Sequence, residues 1–178
     1  MTRYRYYTAT TLDGFLADDE DSLMWLFKQQ LEEDGPGSTA AFLADVGVQV
    51  MGSTTYTWVL EHEPAWLPQI PTFVFTRRDL EPANEHVRFV AGSPTDQRAA
   101  LEAASGGRDV WVMGGGRLAA EFAAVSMLDE VFVSIAPVTL GSGKPLFSGA
   151  FDLALQECAR NEDFVIARYD VVGPLRVS

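Results

Sequence analysis

Three short stretches put anion-binding chemistry at the ends of apolar runs. In the first, Val110-Trp-Val-Met113 is followed at once by Gly114-Gly115-Gly116. The apolar run reads as a buried strand, and Leu118, Phe122 and Val125 recur at i, i+4 and i+7, as on an amphipathic helix. A helix start leaves backbone N–H groups unpaired and carries a partial positive charge. Glycines let an anion approach those groups with no Cβ in the way. Two readings stand on these residues alone. One is a phosphate cradle at the carboxyl end of a strand; the other is a tight strand–helix turn without a ligand. The triplet is not G-x-G-x-x-G, and no Lys-Ser/Thr follows to make a P-loop. In the second stretch, Val48 to Met51 runs into Gly52-Ser53-Thr54-Thr55, either another cradle or plain Ser/Thr capping of a helix. In the third, Thr76-Arg77-Arg78 follows the strand-like Thr72 to Phe75. Two adjacent arginines suit a phosphate monoester; they equally suit an exposed polar turn.

Composition narrows the ligands. The chain has 178 residues, 47% of them hydrophobic, and a formal charge of 13 − 25 = −12. That is a globular composition of single-domain size, and its charge opposes nucleic acid and anionic membranes as partners. No apolar run approaches the ~20 residues that span a bilayer, and the first residues hold no signal-peptide core. The single cysteine, Cys158, excludes an internal disulfide, and a cytoplasmic location follows. Cys158 lies in a strand-like run and is expected to be a buried packing residue. His62 and His86 stand apart in polar loops, so no metal cluster is expected.

The elements that must position these groups alternate. A strand is expected over Arg3 to Thr10, then a turn at Asp13-Gly14 and a solvated acidic loop at Asp18 to Asp21. Ser22 is expected to cap a helix from Leu23 to Glu33, broken by Gly35-Pro-Gly37. Ser38 caps a second one, with Phe42, Leu43 and Val46 inward. A proline-rich loop is expected over Glu61 to Pro71, a strand over Val87 to Val90, and a helix over Pro94 to Ala104 ending at Gly106-Gly107. Leu128 to Ile135 reads as a strand and Pro137 to Phe147 as a glycine-punctuated loop. Leu153 to Arg160 and Phe164 to Val172 read as an antiparallel hairpin, with Val165, Ala167, Tyr169 and Val171 on one buried face. The order implies one three-layer α/β domain over 1–178, its mixed sheet mostly parallel with an antiparallel C-terminal edge and helices on both faces.

Taken in order, Thr11-Leu-Asp-Gly14, Val50-Met-Gly-Ser-Thr-Thr-Tyr56, Phe75-Thr-Arg77, Val112-Met-Gly-Gly-Gly-Arg117, Leu128-Asp-Glu-Val131 and Ile135 to Phe147 resemble the dihydrofolate reductase-like family. The closer match is to its branch related to the reductase domain of bacterial riboflavin biosynthesis. The resemblance covers nearly the whole chain. It implies NADPH as cofactor, with Gly52, Ser53, Thr54 and Thr55 at its phosphates. Thr76 and Arg77, with Arg78, would hold the 2′-phosphate. Gly114, Gly115, Gly116, Arg117 and Leu118 would lie along the pyrophosphate and nicotinamide, with a cis peptide at Gly114-Gly115. Ala9, Asp13, Gly14 and Leu16 would belong to the loop that closes over the nicotinamide. Ala9 and Leu16 are thus expected at the cofactor, and Gly14, Trp25 and Ser134 at the substrate. Where related sequences carry an acid before the tryptophan, this chain has Met24. Asp13 remains as the acid candidate, and an Asp-Gly turn explains it equally well.

Three functions follow as alternatives. The first is an NADPH-dependent reductase of a small pteridine-like or pyrimidine-like acceptor. The second is a nucleotide-binding dimeric module with the reductase fold and little or no catalysis. The third is a structural homo-oligomer built through the C-terminal hairpin; a homodimer through that hairpin is expected in any case.

Overall fold

The computed structural model describes residues 1–67 and 69–177. The chain runs β1 (Tyr4–Thr11), β2 (Phe15–Ala17), α1 (Met24–Phe27), α2 (Thr39–Ala44), β3 (Val46–Gly52) and α3 (Ser53–His62). A 3-10 turn at Pro64–Trp66 precedes β4 (Thr72–Phe75), β5 (Val87–Val90), α4 (Pro94–Ser105), β6 (Asp109–Gly114) and α5 (Gly116–Ala124). The chain closes with β7 (Glu130–Ala136), β8 (Lys144–Pro145), β9 (Phe151–Asn161) and β10 (Phe164–Pro174). The proline-rich loop expected over 61–71 includes residue 68, which lies outside the described residues.

Eight strands make one sheet in the order β5-β4-β3-β6-β1-β7-β10-β9. From β5 to β7 every pairing is parallel; β10 returns antiparallel to β7, and β9 antiparallel to β10. β2 and β8 form a separate small antiparallel ribbon. Side chains alternate across each strand. Tyr4, Tyr6, Val110, Val112, Val131 and Val133 face α4 and α5 and pack with Leu101, Leu118 and Phe122. On the opposite face, Tyr7, Trp111 and Phe132 meet Phe42 of α2, Ala136 and Ile166 meet Trp25 of α1, and Met51 and Val74 meet Tyr56 of α3. Helices thus cover both faces, which is why Val46 to Met51 of β3 is buried at every residue.

At the end of the sheet where β1 and β7 begin, Glu130 is fully buried. Its carboxylate accepts from Arg5 Nε (2.7 Å), Arg3 Nη2 (3.1 Å) and Arg168 Nη1 (3.3 Å), tying β1, β7 and β10 together. A buried carboxylate is tolerated only when so surrounded. α4 carries its own start and stop: Ser93 and Asp96 form a capping box, and Gly106 ends the helix in the left-handed conformation.

Five expectations need correction. α1 runs only from Met24 to Phe27, with Leu23 and not Ser22 at its N-cap and no side-chain cap, and it stops short of Glu33 because the next backbone groups are taken by a distant turn. The Gln30 amide donates to Asp163, the Glu32 amide to Asn161 Oδ1, and the Gln29 side chain to the Trp25 carbonyl. α5 ends one residue earlier than the periodicity implied, leaving Val125 as a half-exposed C-cap. Cys158 is exposed, since β9 is the edge of the sheet. In β10, Ala167, Tyr169 and Val171 join the core but Val165 is exposed. Phe164 and Ile166, pointing the other way, are buried by Trp25, so the strand is covered on both faces. His62 is in the last turn of α3, stacked on Trp58, and not in a loop. Among the described residues, no helix is long and apolar enough to cross a membrane.

Candidate active site

A cleft of about 1340 Å³ crosses the carboxyl ends of the parallel strands. Its first wall is the start of α3. Gly52 is the N-cap in an extended conformation, and no side chain caps the helix. The Thr57 hydroxyl turns back to the carbonyls of Ser53 and Thr54, so Ser53, Thr54 and Thr55 are not the plain caps that their types allow. The open N–H groups of the first turn therefore face a cleft lined by Gly52 to Thr55.

The second wall is the start of α5. The Gly114–Gly115 peptide is cis, and Gly115 is an N-cap without a side-chain partner. A Cβ on Gly115 would meet nothing within 4 Å. Gly116 differs: a Cβ there would overlap the carbonyl oxygens of Pro145 and Leu146. Arg117 projects from the first turn and pairs with Glu121 at 3.0 Å. Beyond β4, the Thr76 hydroxyl accepts from the Arg78 amide (2.9 Å) and shapes the turn carrying Arg77 and Arg78. Both arginines are exposed, and among the described residues neither forms an ion pair.

Over these walls lie a flap and a strap. The flap is the β1–β2 turn and its continuation to residue 22; the strap is the loop 137–147. Asp13 joins them. Its carboxylate accepts from the Thr11 hydroxyl (2.6 Å), the Leu140 amide (3.0 Å) and the Gly141 amide (2.8 Å). The Thr11 hydroxyl and then the Gly141 amide hold the Asp13 carboxyl below its ordinary range. Gly14, at φ +83°, makes the turn, and its carbonyl accepts from the Leu146 amide. Ser142 donates to Asp19 (2.6 Å), and Lys144 pairs with Asp21 (3.7 Å).

Ala9, Leu16, Trp25, Gly52 to Thr55, Thr76 to Arg78, Gly115 to Leu118 and Ser134 all line this one cleft. Asp13, Gly14 and Gly114 do not. The first two belong to the flap–strap clasp, and Gly114 sits behind Gly115, nearest to the Tyr6 ring. The sequence reading missed Tyr7, Thr39, Trp58, Trp66, Trp111 and Met113, which form the wall under α1, α2 and the 3-10 turn. One signal could have found part of it: the chain has only four tryptophans, and all four line the cleft. Phe27 lies 6.1 Å from Trp66, and Trp58 5.8 Å from Trp66, centroid to centroid. Burial pushes the Tyr7 phenol up, against the opposing effect of Thr39. Its hydroxyl donates to the Gly37 carbonyl (2.7 Å) and lies 2.8 Å from the Thr39 hydroxyl.

Residues 5–163 match the family of the RibD C-terminal domain. The chain belongs to that family. The uncharacterized protein YwjB of Bacillus subtilis is 32% identical over 142 residues, 79% of this chain and 80% of that one. A protein of Shewanella sp. PV-4, provisionally named for riboflavin biosynthesis, superposes with a TM-score of 0.82. It is 25% identical, over 96% of this chain and 99% of that one. A Thermotoga maritima diaminohydroxyphosphoribosylaminopyrimidine deaminase/5-amino-6-(5-phosphoribosylamino)uracil reductase shares the fold, with a TM-score of 0.65 at 17% identity. The match covers 96% of this chain and 56% of that longer one. The likeness to the riboflavin-type reductase fold expected from the ordered motifs is borne out.

Proposed function

We propose that this protein is an NADPH-dependent reductase that passes a hydride to a small conjugated acceptor of pteridine or pyrimidine type. The phosphoribosylaminouracil in the name of the Thermotoga neighbour is one example of that ring chemistry. One observation carries the reading: two uncapped helix starts and an unpaired arginine turn line the same cleft. Backbone N–H groups at a helix start suit the pyrophosphate, and Arg77 with Arg78 suits a phosphate monoester such as the 2′-phosphate. The open space at Gly115 leaves room for a ligand against the backbone.

Bound NADPH supplies the hydride. The chain's own residues align and enclose. Leu16 on the flap and Trp25 on α1 line the cleft where Ala9 and Ser134 lie side by side on β1 and β7, an apolar setting that excludes water. Among the described residues, the acids on the lining are Asp21 and Glu121, each already paired with a cation. Asp13 serves the clasp, so the accompanying proton comes from water or a neighbouring hydroxyl. A separate observation favours a second reading, a nucleotide-binding module without turnover: Met24, at the position expected to be acidic, is 71% exposed and is not on the cleft lining. The protein acts in the cytoplasm as a homodimer through the β9–β10 hairpin.

The test is a fluorescence titration with NADPH and NADH, repeated for Arg77→Ala. NADPH is expected to bind more tightly than NADH. Arg77→Ala should weaken NADPH about tenfold to a hundredfold, one charge-assisted contact being worth roughly 1.5–3 kcal/mol, and leave NADH nearly unchanged. Equal losses for both cofactors would refute the arginine's role. Turnover of pteridine and aminouracil acceptors then separates the reductase from the silent module.

A further inference from the structure

We propose that the acceptor taken by this cleft is an uncharged planar ring, and not a phosphorylated or carboxylated one. The proposal rests on the reductase reading and adds the chemical class of the acceptor.

Charge on the cleft lining is unevenly spread. Among the described residues, the ionisable acids and bases on the lining are Asp21, Arg77, Arg78, Arg117, Glu121 and Lys144. Arg77 and Arg78 follow β4, on the side with the α3 start. Arg117 is bound to Glu121, and Lys144 to Asp21. The chamber under α1, α2 and the 3-10 turn is walled instead by Trp25, Phe27, Leu43, Trp58, Trp66 and Trp111. Its polar groups are largely matched among themselves. The hydroxyls of Tyr7 and Thr39 lie 2.8 Å apart, and the Gln29 amide donates to the Trp25 carbonyl.

An anion lodged between these aromatic walls would give up its hydration among side chains that carry no charge, a heavy loss in an apolar setting. The net charge of −12 adds to that penalty. A flat uncharged ring gains by the same move, through burial and through stacking on indole and phenyl faces. The rim points the same way: Phe27, Leu31 and Trp66 stand 48%, 45% and 37% exposed around the mouth, apolar surface that a bound ring would cover.

The probes are lumazine, a neutral pteridine, and lumazine-6-carboxylate, which differs by one ring-borne charge. Each is titrated calorimetrically into the full chain at neutral pH, with and without NADPH. Lumazine is expected to bind, and the carboxylate at least about tenfold more weakly. Leu31→Arg, on the exposed rim, is expected to recover much of the carboxylate's loss, while Trp66→Ala weakens lumazine about tenfold. Equal or tighter binding of the carboxylate to the wild type overturns the proposal, and so does binding of neither probe. NADPH has its own isotherm. A chain that sorts the two probes but ignores NADPH keeps the acceptor class and loses the cofactor.

Discussion

Gly114, Gly115 and Gly116 form one motif in the sequence and three different requirements in the structure. Gly114 has a φ of +129°, which an L side chain rarely adopts. Gly115 leaves open space beside the cleft, whereas Gly116 is pressed against the carbonyls of Pro145 and Leu146. Gly116→Ala is therefore expected to cost about 1–3 kcal/mol of stability through overpacking, read as a lower urea midpoint. Gly115→Ala should unfold at the wild-type midpoint and bind NADPH less tightly. If the two variants change places in that comparison, the division of roles is wrong. Residue types marked the triplet as a strand–helix turn and left open whether it faces a ligand. The reason for its third glycine was not legible locally, because the atoms that need it arrive some thirty residues later in the chain.

Among the elements, the β1–β2 turn and the 137–147 strap act as one piece through Asp13. Its carboxyl is held below the ordinary range when folded, so its contribution is fully present above the unfolded value and is lost as pH falls through the folded one. Amide exchange at Leu140 and Gly141 should be slow at neutral pH and gain extra opening only on strong acidification. Asp13→Ala should show that opening already at neutral pH; unchanged protection in the variant would remove the clasp from the account. The Asp13-Gly14 turn was legible because its chemistry is local. The extent of α1 was not. Leu23 to Phe27 has a helical pattern, but whether the helix continues is decided by Asn161 and Asp163, which take the next amides. Periodicity also located β10 while giving it one buried face, since the cover from Trp25 is a tertiary contact.

For the whole molecule, the sheet leaves one apolar edge. On β9, Leu153 and Leu155 are exposed, and Val172 of β10 and Leu175 just beyond it are exposed as well. A free edge of this kind seeks a partner strand or surface, and a two-fold pairing satisfies both copies at once. Sedimentation at micromolar concentration should find a dimer, and Leu155→Lys should shift it toward monomer. A wild-type chain that sediments only as monomer would end the proposal. The alternation of strands and helices made the layers of the fold legible. The strand order was not legible, because periodicity does not say which strands become neighbours.

That strand order has a consequence for how the molecule is made. β1 lies between β6 and β7, with Tyr4 beside Val110 and Arg5 beside Glu130. A strand synthesised early thus waits on the ribosome for partners more than a hundred residues behind it, and the arginine that completes the Glu130 cluster arrives later still, on β10. Contacts so distant in sequence slow folding and leave intermediates exposed. The centre of the finished sheet is the part of the nascent chain that stays single longest.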